Sequence, residues 1–262
     1  MAVDDQYQST MPSRPKILML HDNGQSGQML QCKTEYLIPQ VRDTVLQAMP
    51  QDPNLGSAEM VEFHYPSSKR PARMDQSPEE SNHLWSWAHG DSTDCTWHGL
   101  EQSVDDIFRY LDENGPFIGI MGFSMGAATA AIVASLLEKR HSVGNFQFNL
   151  TFLSSQTDHP PLKFVIAVCG FTLSNPRYRD LYSPKIETPI LLAIASIDIM
   201  VAECESLKLR DSSTNTALYF FEGAHYVPRD NVFLQSVTQF IEDVLSIEAE
   251  TREEDWENYG DY

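Results

Sequence analysis

The stretch FIGIMGFSMGAATAAIVASLL, residues 117–137, decides the fold of this chain. Its first part is rich in β-branched and aromatic residues and predicts a buried strand over residues 117–123. Its alanine-rich second part predicts a helix over residues 125–140. The stretch carries no charge and resembles a membrane span, but the glycines and Ser124 at its centre favour a strand-to-helix turn. We therefore predict no membrane-spanning segment.

Residues 122–126 read GFSMG and match the pattern G-x-S-x-G. Where this pattern joins a strand to a helix it forms a nucleophile elbow, whose serine projects above the sheet at the positive N-terminal end of the helix. Ser124 is therefore the candidate nucleophile. A serine hydroxyl is a poor nucleophile at neutral pH, so it needs a base, and the base needs an orienting acid.

The base and the acid follow later strands. In folds that place the serine on a nucleophile elbow, the serine comes first along the chain, the acid second and the histidine last. Asp198 follows a predicted strand at residues 189–195, and His225 follows another at residues 217–221. We therefore predict that Ser124, His225 and Asp198 form a catalytic triad. The acids considered less suitable are Glu203, Glu205, Asp211 and Glu222.

The oxyanion that forms during acyl transfer needs two N–H donors. The residue after the serine supplies one, so Met125 N–H is predicted here, and the loop after the first strand supplies the other, for which Asn23 N–H is the candidate. His21 in that loop is either a brace for the loop or a second base, and we favour the brace.

The rest of the chain alternates predicted strands with predicted helices. This alternation indicates an α/β fold with a mostly parallel central sheet and helices on both faces. The further predicted elements are strands at residues 16–20, 60–65 and 163–169, a helix at 28–49 kinked at Pro39, a helix from Trp97, a closing helix around 233–245, and irregular stretches at 66–97 and 141–162.

We predict a single folded domain over residues 15–247, with a flexible N-terminus at residues 1–14 and an acidic C-terminal tail at residues 248–262. Residues 242–262 hold nine acidic residues and one base. That excess indicates a solvated helix end that frays into a tail, and a docking motif is the alternative.

The composition excludes several classes of partner. Eighteen lysines and arginines against 37 aspartates and glutamates give a net charge of −19, which argues against binding to nucleic acid or to an anionic membrane. The four cysteines are scattered without metal-ligand spacing, and the first residues lack an apolar signal core. A reducing, cytoplasmic location is therefore expected.

Taken together, the motifs resemble the FSH family of fungal serine hydrolases, which also includes the ovarian-cancer-associated hydrolase of animals. The resemblance covers about residues 15–245. The motifs that carry it are HDNGQSG at 21–27, GLEQS at 99–103, GPF at 115–117, GFSMGA at 122–127, CGF at 169–171 and GAHYVP at 223–228.

The resemblance implies an α/β-hydrolase fold with little or no lid and hydrolysis of ester or thioester bonds, without a metal or organic cofactor. Several such hydrolases serve fungal secondary metabolism, where they release or trim polyketides. An apolar acyl or polyketide-like substrate, free or bound to a carrier protein, is therefore expected. The aromatic residues expected to bind it are Trp85, Trp87, Phe171 and Tyr182.

The chain departs from the family pattern in its first loop, where glycine and an aromatic residue are usual after the histidine. Asp22 and Asn23 stand there instead. Aspartate tolerates a left-handed backbone, but its carboxylate would oppose the charge of an oxyanion unless it points outward. Met125, where glutamine is common, is expected to change packing alone.

Two other functions remain open from the sequence. The chain could be a hydrolase-fold binding or scaffold protein whose Asp22 has impaired catalysis. It could also use the same triad for hydrolysis of a carbon–carbon bond or for cyclisation, which product analysis would distinguish.

Overall fold

The computed structural model describes residues 14–49, 61–141 and 157–259. Outside them lie residues 1–13 of the predicted flexible N-terminus, Met60 of the predicted second strand, residues 142–156 of the predicted irregular stretch and the last three residues of the predicted tail.

The fold is built on a sheet of six parallel strands. Four small strands pair outside this sheet as two antiparallel ladders, β3 with β4 and β5 with β6. In chain order the strands are β1 (Lys16–Leu20), β2 (Glu62–His64), β3 (Arg70–Pro71), β4 (Trp85–Ser86), β5 (His89–Gly90), β6 (Trp97–His98), β7 (Gly119–Phe123), β8 (Phe164–Val168), β9 (Ile190–Ala195) and β10 (Thr216–Phe221). The six-stranded sheet has the order β10-β9-β8-β7-β1-β2. The predicted parallel sheet is confirmed.

Helices cover both faces of this sheet. They are α1 (Gly27–Thr34), α2 (Ile38–Ala48), α3 (Leu100–Asn114), α4 (Met125–His141), α5 (Glu203–Asp211) and α6 (Asn231–Tyr259). The helices α3, α4 and α5 bury apolar residues in one core cluster, whereas α1, α2 and α6 bury theirs in a second.

The strands contribute side chains to both clusters, because successive side chains of a strand point to opposite faces of the sheet. In β1, Leu18 and Leu20 belong to the first cluster, while Ile17 and Met19 belong to the second. Every residue of β7, β8 and β9 is buried. The central strands are therefore apolar along their whole length, as in sheets covered on both faces.

Three helix boundaries differ from the sequence prediction, one of them at the end of the chain, where α6 continues to Tyr259 through residues expected to form the tail. The predicted helix at residues 28–49 is split, because α1 ends at Thr34 and a 3-10 turn leads into α2, where Pro39 stands at the start. Proline is favoured in the first turn of a helix, where its missing N–H has no helical partner. The helix expected from Trp97 begins at Leu100, since Trp97 pairs with Gly90 in the β5–β6 ladder.

The uncharged stretch at residues 117–137 forms β7 and most of α4, as predicted. None of the helices in the described ranges has the length and apolarity needed to cross a membrane.

Candidate active site

Ser124 lies between β7 and α4 with a positive φ of 55°. Its N–H donates to the Val168 carbonyl at 2.8 Å, which fixes the turn to the neighbouring strand. A Cβ at Gly122 would lie 2.3 Å from the Gly126 oxygen, and a Cβ at Gly126 would lie 2.1 Å from the Leu20 oxygen. Since both approaches are too close for any side chain, the packing explains why the motif needs glycine two positions before and after the serine.

Ser124, His225 and Asp198 lie in hydrogen-bonding contact at the carboxyl ends of the central strands. His225 Nε2 is 2.7 Å from Ser124 Oγ, and His225 Nδ1 is 2.6 Å from Asp198 Oδ2. Asp198 lies in the loop after β9 and His225 in the loop after β10. Three side chains that are distant in sequence therefore form one hydrogen-bonded chain.

Asp198 is held by more than the histidine. Its Oδ1 accepts the N–H groups of Met200 and Val201 at 2.8 and 2.9 Å, and the side chain is 1% exposed. Burial alone would raise the pKa of this carboxyl, but hydrogen bonds from His225 and from the two backbone groups outweigh burial and lower the pKa. Asp198 is therefore a fixed carboxylate, which suits a group that orients an imidazole.

His225 meets a second carboxylate on its other side. Asp22 Oδ2 lies 3.7 Å from His225 Nε2, beyond hydrogen-bonding distance but within reach of strong charge attraction. Burial disfavours the imidazolium, yet Asp22 and Asp198 together raise the pKa of His225 above its ordinary value. The position of Asp22 near the oxyanion site was predicted from the sequence, whereas its contact with the histidine was not.

The two predicted oxyanion donors differ in their hydrogen bonds. Met125 N–H donates to no other residue in the part of the chain that the structure describes. Asn23 N–H, in contrast, donates to Asp22 Oδ1 at 2.6 Å. The predicted role of Asn23 N–H therefore stays a prediction, and it requires the carboxylate of Asp22 to move away.

His21 braces the loop after β1. Its Nδ1 donates to the Asp22 carbonyl at 2.7 Å and its Nε2 accepts the Ser68 N–H at 3.0 Å. Burial lowers the pKa of His21 to about 4, so the ring is neutral at physiological pH. With both nitrogens bonded to the backbone, His21 has no nitrogen free to act as a second base.

The two tryptophans expected to bind substrate, Trp85 and Trp87, instead support this loop. Trp87 is buried, and its indole N–H donates to the His21 carbonyl at 2.8 Å. The backbone of Trp85 accepts the Gly24 N–H at 2.8 Å and donates to the Gln25 carbonyl at 2.9 Å. Their positions show that aromatic residues near a site can serve its scaffold.

A cavity of about 590 Å³ opens beside Ser124, a volume typical of small-ligand sites. Phe171 lines it as expected, and its ring lies 5.7 Å from that of Trp97, which the sequence analysis did not assign to the site. Tyr182 does not line it, because this side chain packs against the first core cluster and its hydroxyl accepts the Leu173 N–H. Further lining residues missed from the sequence are Met74, Met200 and Glu205.

The segment between β2 and α3 forms one wall of this cavity through Met74, Ala88, His89, Gly90 and Trp97. It folds as the two short ladders and a 3-10 turn rather than as a helical lid. The sequence signal for this wall is the aromatic Trp97 just before α3, which pairs with Gly90 in the structure.

One cluster of metal-ligand types in the described residues coincides with the site: Cys169, Asp198 and His225 have ligand atoms within 4.8 Å of one another. The histidine and the aspartate are hydrogen-bonded to each other through the atoms a metal would need. Burial raises the pKa of the Cys169 thiol, so it stays protonated. The protein's own hydrogen bonds account for the arrangement without an ion.

Comparisons with known proteins indicate the family of the chain. Residues 11–237 match the model of the family described as serine hydrolase (FSH1). The chain is 26% identical over 247 residues to "Family of serine hydrolases 3" of Saccharomyces cerevisiae, covering 92% of this chain and 88% of that one. It is also 27% identical over 230 residues to a "Dihydrofolate reductase" of Schizosaccharomyces pombe, covering 87% of this chain but only 47% of that protein's length.

Among solved structures, acyl-protein thioesterase 2 of Zea mays superposes with a TM-score of 0.55 at 18% identity, covering 89% of this chain and 94% of that one. This likeness supports the α/β-hydrolase fold that the sequence predicted. Because the family model matches most of its length, the chain belongs to the FSH1 family of serine hydrolases.

Proposed function

We propose that the protein is an esterase or thioesterase in which Ser124, His225 and Asp198 act as a catalytic triad. The observation that carries the proposal is the continuous chain of hydrogen bonds, 2.7 Å from Ser124 Oγ to His225 Nε2 and 2.6 Å from His225 Nδ1 to Asp198 Oδ2. Such contacts let a base take the serine proton as the oxygen attacks.

In the proposed mechanism, Ser124 Oγ attacks the acyl carbonyl while its proton passes to His225 Nε2. The imidazolium then protonates the leaving alcohol or thiol, and an acyl-enzyme forms. A water molecule gives its proton to His225 and attacks the acyl carbon, and the serine regains its proton as the acid product departs. Met125 N–H stabilises the oxyanion in both steps, and Asn23 N–H joins it once the carboxylate of Asp22 has moved.

The cavity supports an apolar acyl group as the substrate class. Its walls include Met74, Trp97, Phe171, Met200 and Val201, and its volume suits a medium-sized acyl chain. On the resemblance to fungal hydrolases, a polyketide-like chain in secondary metabolism is the more specific proposal. Turnover of one acyl chain as a free thioester and as a carrier-protein thioester would test whether a carrier is needed.

Reaction with a fluorophosphonate probe tests the triad directly, since only an activated serine reacts. We expect labelling of the wild type, none of Ser124→Ala, and a loss of esterase turnover of up to about 10⁶-fold in that variant. Ser236→Ala is the matched control, because Ser236 is half-buried on α6, does not line the cavity, and among the described residues its hydroxyl donates to the Val232 carbonyl. Full turnover by Ser124→Ala would refute the proposal.

A second candidate function, binding without catalysis, is favoured by one observation. The Asp22 carboxylate holds the Asn23 N–H at 2.6 Å and places negative charge beside the oxyanion site. If the probe does not label the wild type but labels Asp22→Gly, the result supports binding without catalysis and contradicts the enzymatic function.

A further inference from the structure

Asp22 is a carboxylate in the cavity that the triad chemistry does not require. Its Oδ1 accepts the Asn23 N–H at 2.6 Å, its Oδ2 accepts Gln25 Nε2 at 3.3 Å, and the same Oδ2 lies 3.7 Å from His225 Nε2. The side chain is 14% exposed and lines the cavity next to Ser124. It therefore occupies space that the substrate must share.

The backbone does not explain an aspartate at this position. The left-handed residue of the loop is Gly24, with φ of 69°, and Asp22 is outside the set of positive-φ residues. The brace from His21 uses the Asp22 carbonyl oxygen, which any residue would supply. Apart from its two hydrogen bonds within the loop, the carboxylate faces the cavity and His225, where its charge acts on the reaction.

Within the described residues the charge of Asp22 has no close lysine or arginine partner, although the ammonium of Lys33 is near enough to interact with it through space. No lysine or arginine among the described residues forms an ion pair with it, and none lines the cavity. The other lining carboxylate, Glu205, is paired with Lys208 at 2.7 Å. Beside an oxyanion a carboxylate without a close ion pair slows the reaction, unless the substrate brings a group that binds it.

We propose that Asp22 determines specificity by selecting acyl groups with an ammonium close to the scissile carbonyl. The ammonium draws the carboxylate off Asn23, which frees this N–H for the oxyanion. Since Asp22 Oδ2 is 3.7 Å from His225 Nε2 and Ser124 Oγ is 2.7 Å from the same atom, a substituent one or two carbons from the carbonyl is within reach. The aromatic pair of Trp97 and Phe171 provides further surface for such a cation. This inference rests on the proposed acylation of Ser124.

The test compares two thioesters of N-acetylcysteamine with the same shape, 3-aminobutanoyl and 3-methylbutanoyl, with 3-hydroxybutanoyl as a neutral donor. We expect the kcat/KM of the wild type to be about 10-fold or more higher for the 3-aminobutanoyl thioester than for the 3-methylbutanoyl thioester, as for a charged hydrogen bond. Asp22→Asn and Asp22→Gly should reduce this ratio to about one. Glu205→Gln, which removes a charge from the same cavity, should keep it.

Three outcomes would overturn the inference: equal kcat/KM of the wild type for both esters, an unchanged ratio in Asp22→Asn, or a hydroxyl preferred to the ammonium. Circular dichroism of both Asp22 variants separates these results from misfolding. Hydrolysis of either ester by Ser124→Ala would instead contradict the proposed catalytic serine, so the two failures are distinguishable.

Discussion

The loops after β1 and β9 each bring a carboxylate to His225, at opposite nitrogens of the ring. Asp198 touches Nδ1 at 2.6 Å, is 1% exposed and accepts two further backbone N–H groups. Asp22 stands 3.7 Å from Nε2, is 14% exposed and is held by a neighbouring N–H and an amide side chain. The first carboxylate is more buried and more firmly bonded than the second, which is the basis for our proposal that Asp198 orients the base and Asp22 responds to the substrate.

The largest effect that follows from this comparison is at the fixed carboxylate. Asp198→Asn should lower kcat by about 10⁴-fold, because an amide cannot hold the imidazole in the tautomer whose Nε2 accepts the serine proton. Steady-state turnover of a p-nitrophenyl ester measures this loss. The matched change Asp22→Asn should cause no comparable loss of kcat on a neutral ester. Equal losses of kcat in both variants would show that the two carboxylates have the same role.

The site residues that could be predicted from sequence are those set by the backbone. Ser124 follows from two glycines whose close approaches leave no room for a Cβ, and the order of strands places Asp198 and His225 at the same edge of the sheet. These features depend on element type and order, which hydrophobic patterns reveal.

The remaining site features depend on the direction of individual side chains, which no pattern encodes. Trp87 and Tyr182 are aromatic and near the site, yet they pack in the core, whereas Trp97 lines the cavity. The contact between Asp22 and His225 joins residues about 200 positions apart, and its distance depends on the loop conformation, which residue polarity does not predict.

A second prediction concerns the support of the loop after β1. Burial lowers the pKa of His21 to about 4, whereas an unfolded histidine has its ordinary value of 6.5. Below pH 6.5 His21 is therefore protonated in the unfolded chain but stays neutral in the native chain. As a result, the free energy of unfolding falls as the pH falls towards 4. Between pH 6.5 and pH 4, His21 should lower the free energy of unfolding by roughly 3 kcal/mol.

Urea unfolding of the wild type and of His21→Gln at pH 6.5 and pH 4.5 isolates this contribution, since glutamine does not titrate. The wild type should lose more stability between the two pH values than the variant. A parallel decline of both proteins would mean that another group destabilises the fold in acid and that the loop after β1 is not the acid-sensitive one.

The smallest expected effect is a shift in the pKa of His225 when the charge of Asp22 is removed. His225 has a raised pKa because Asp22 and Asp198 outweigh the effect of burial, and the nearby Cys169 thiol stays protonated since burial raises its pKa. Asp22→Asn removes one of the two charges, so the pKa of His225 should fall and the acid limb of kcat/KM for a neutral ester should move to lower pH. Glu205→Gln should leave the limb in place. If Asp22→Asn also leaves it in place, the charge of Asp22 does not act on the imidazole, and its role in the cavity is confined to the Asn23 N–H.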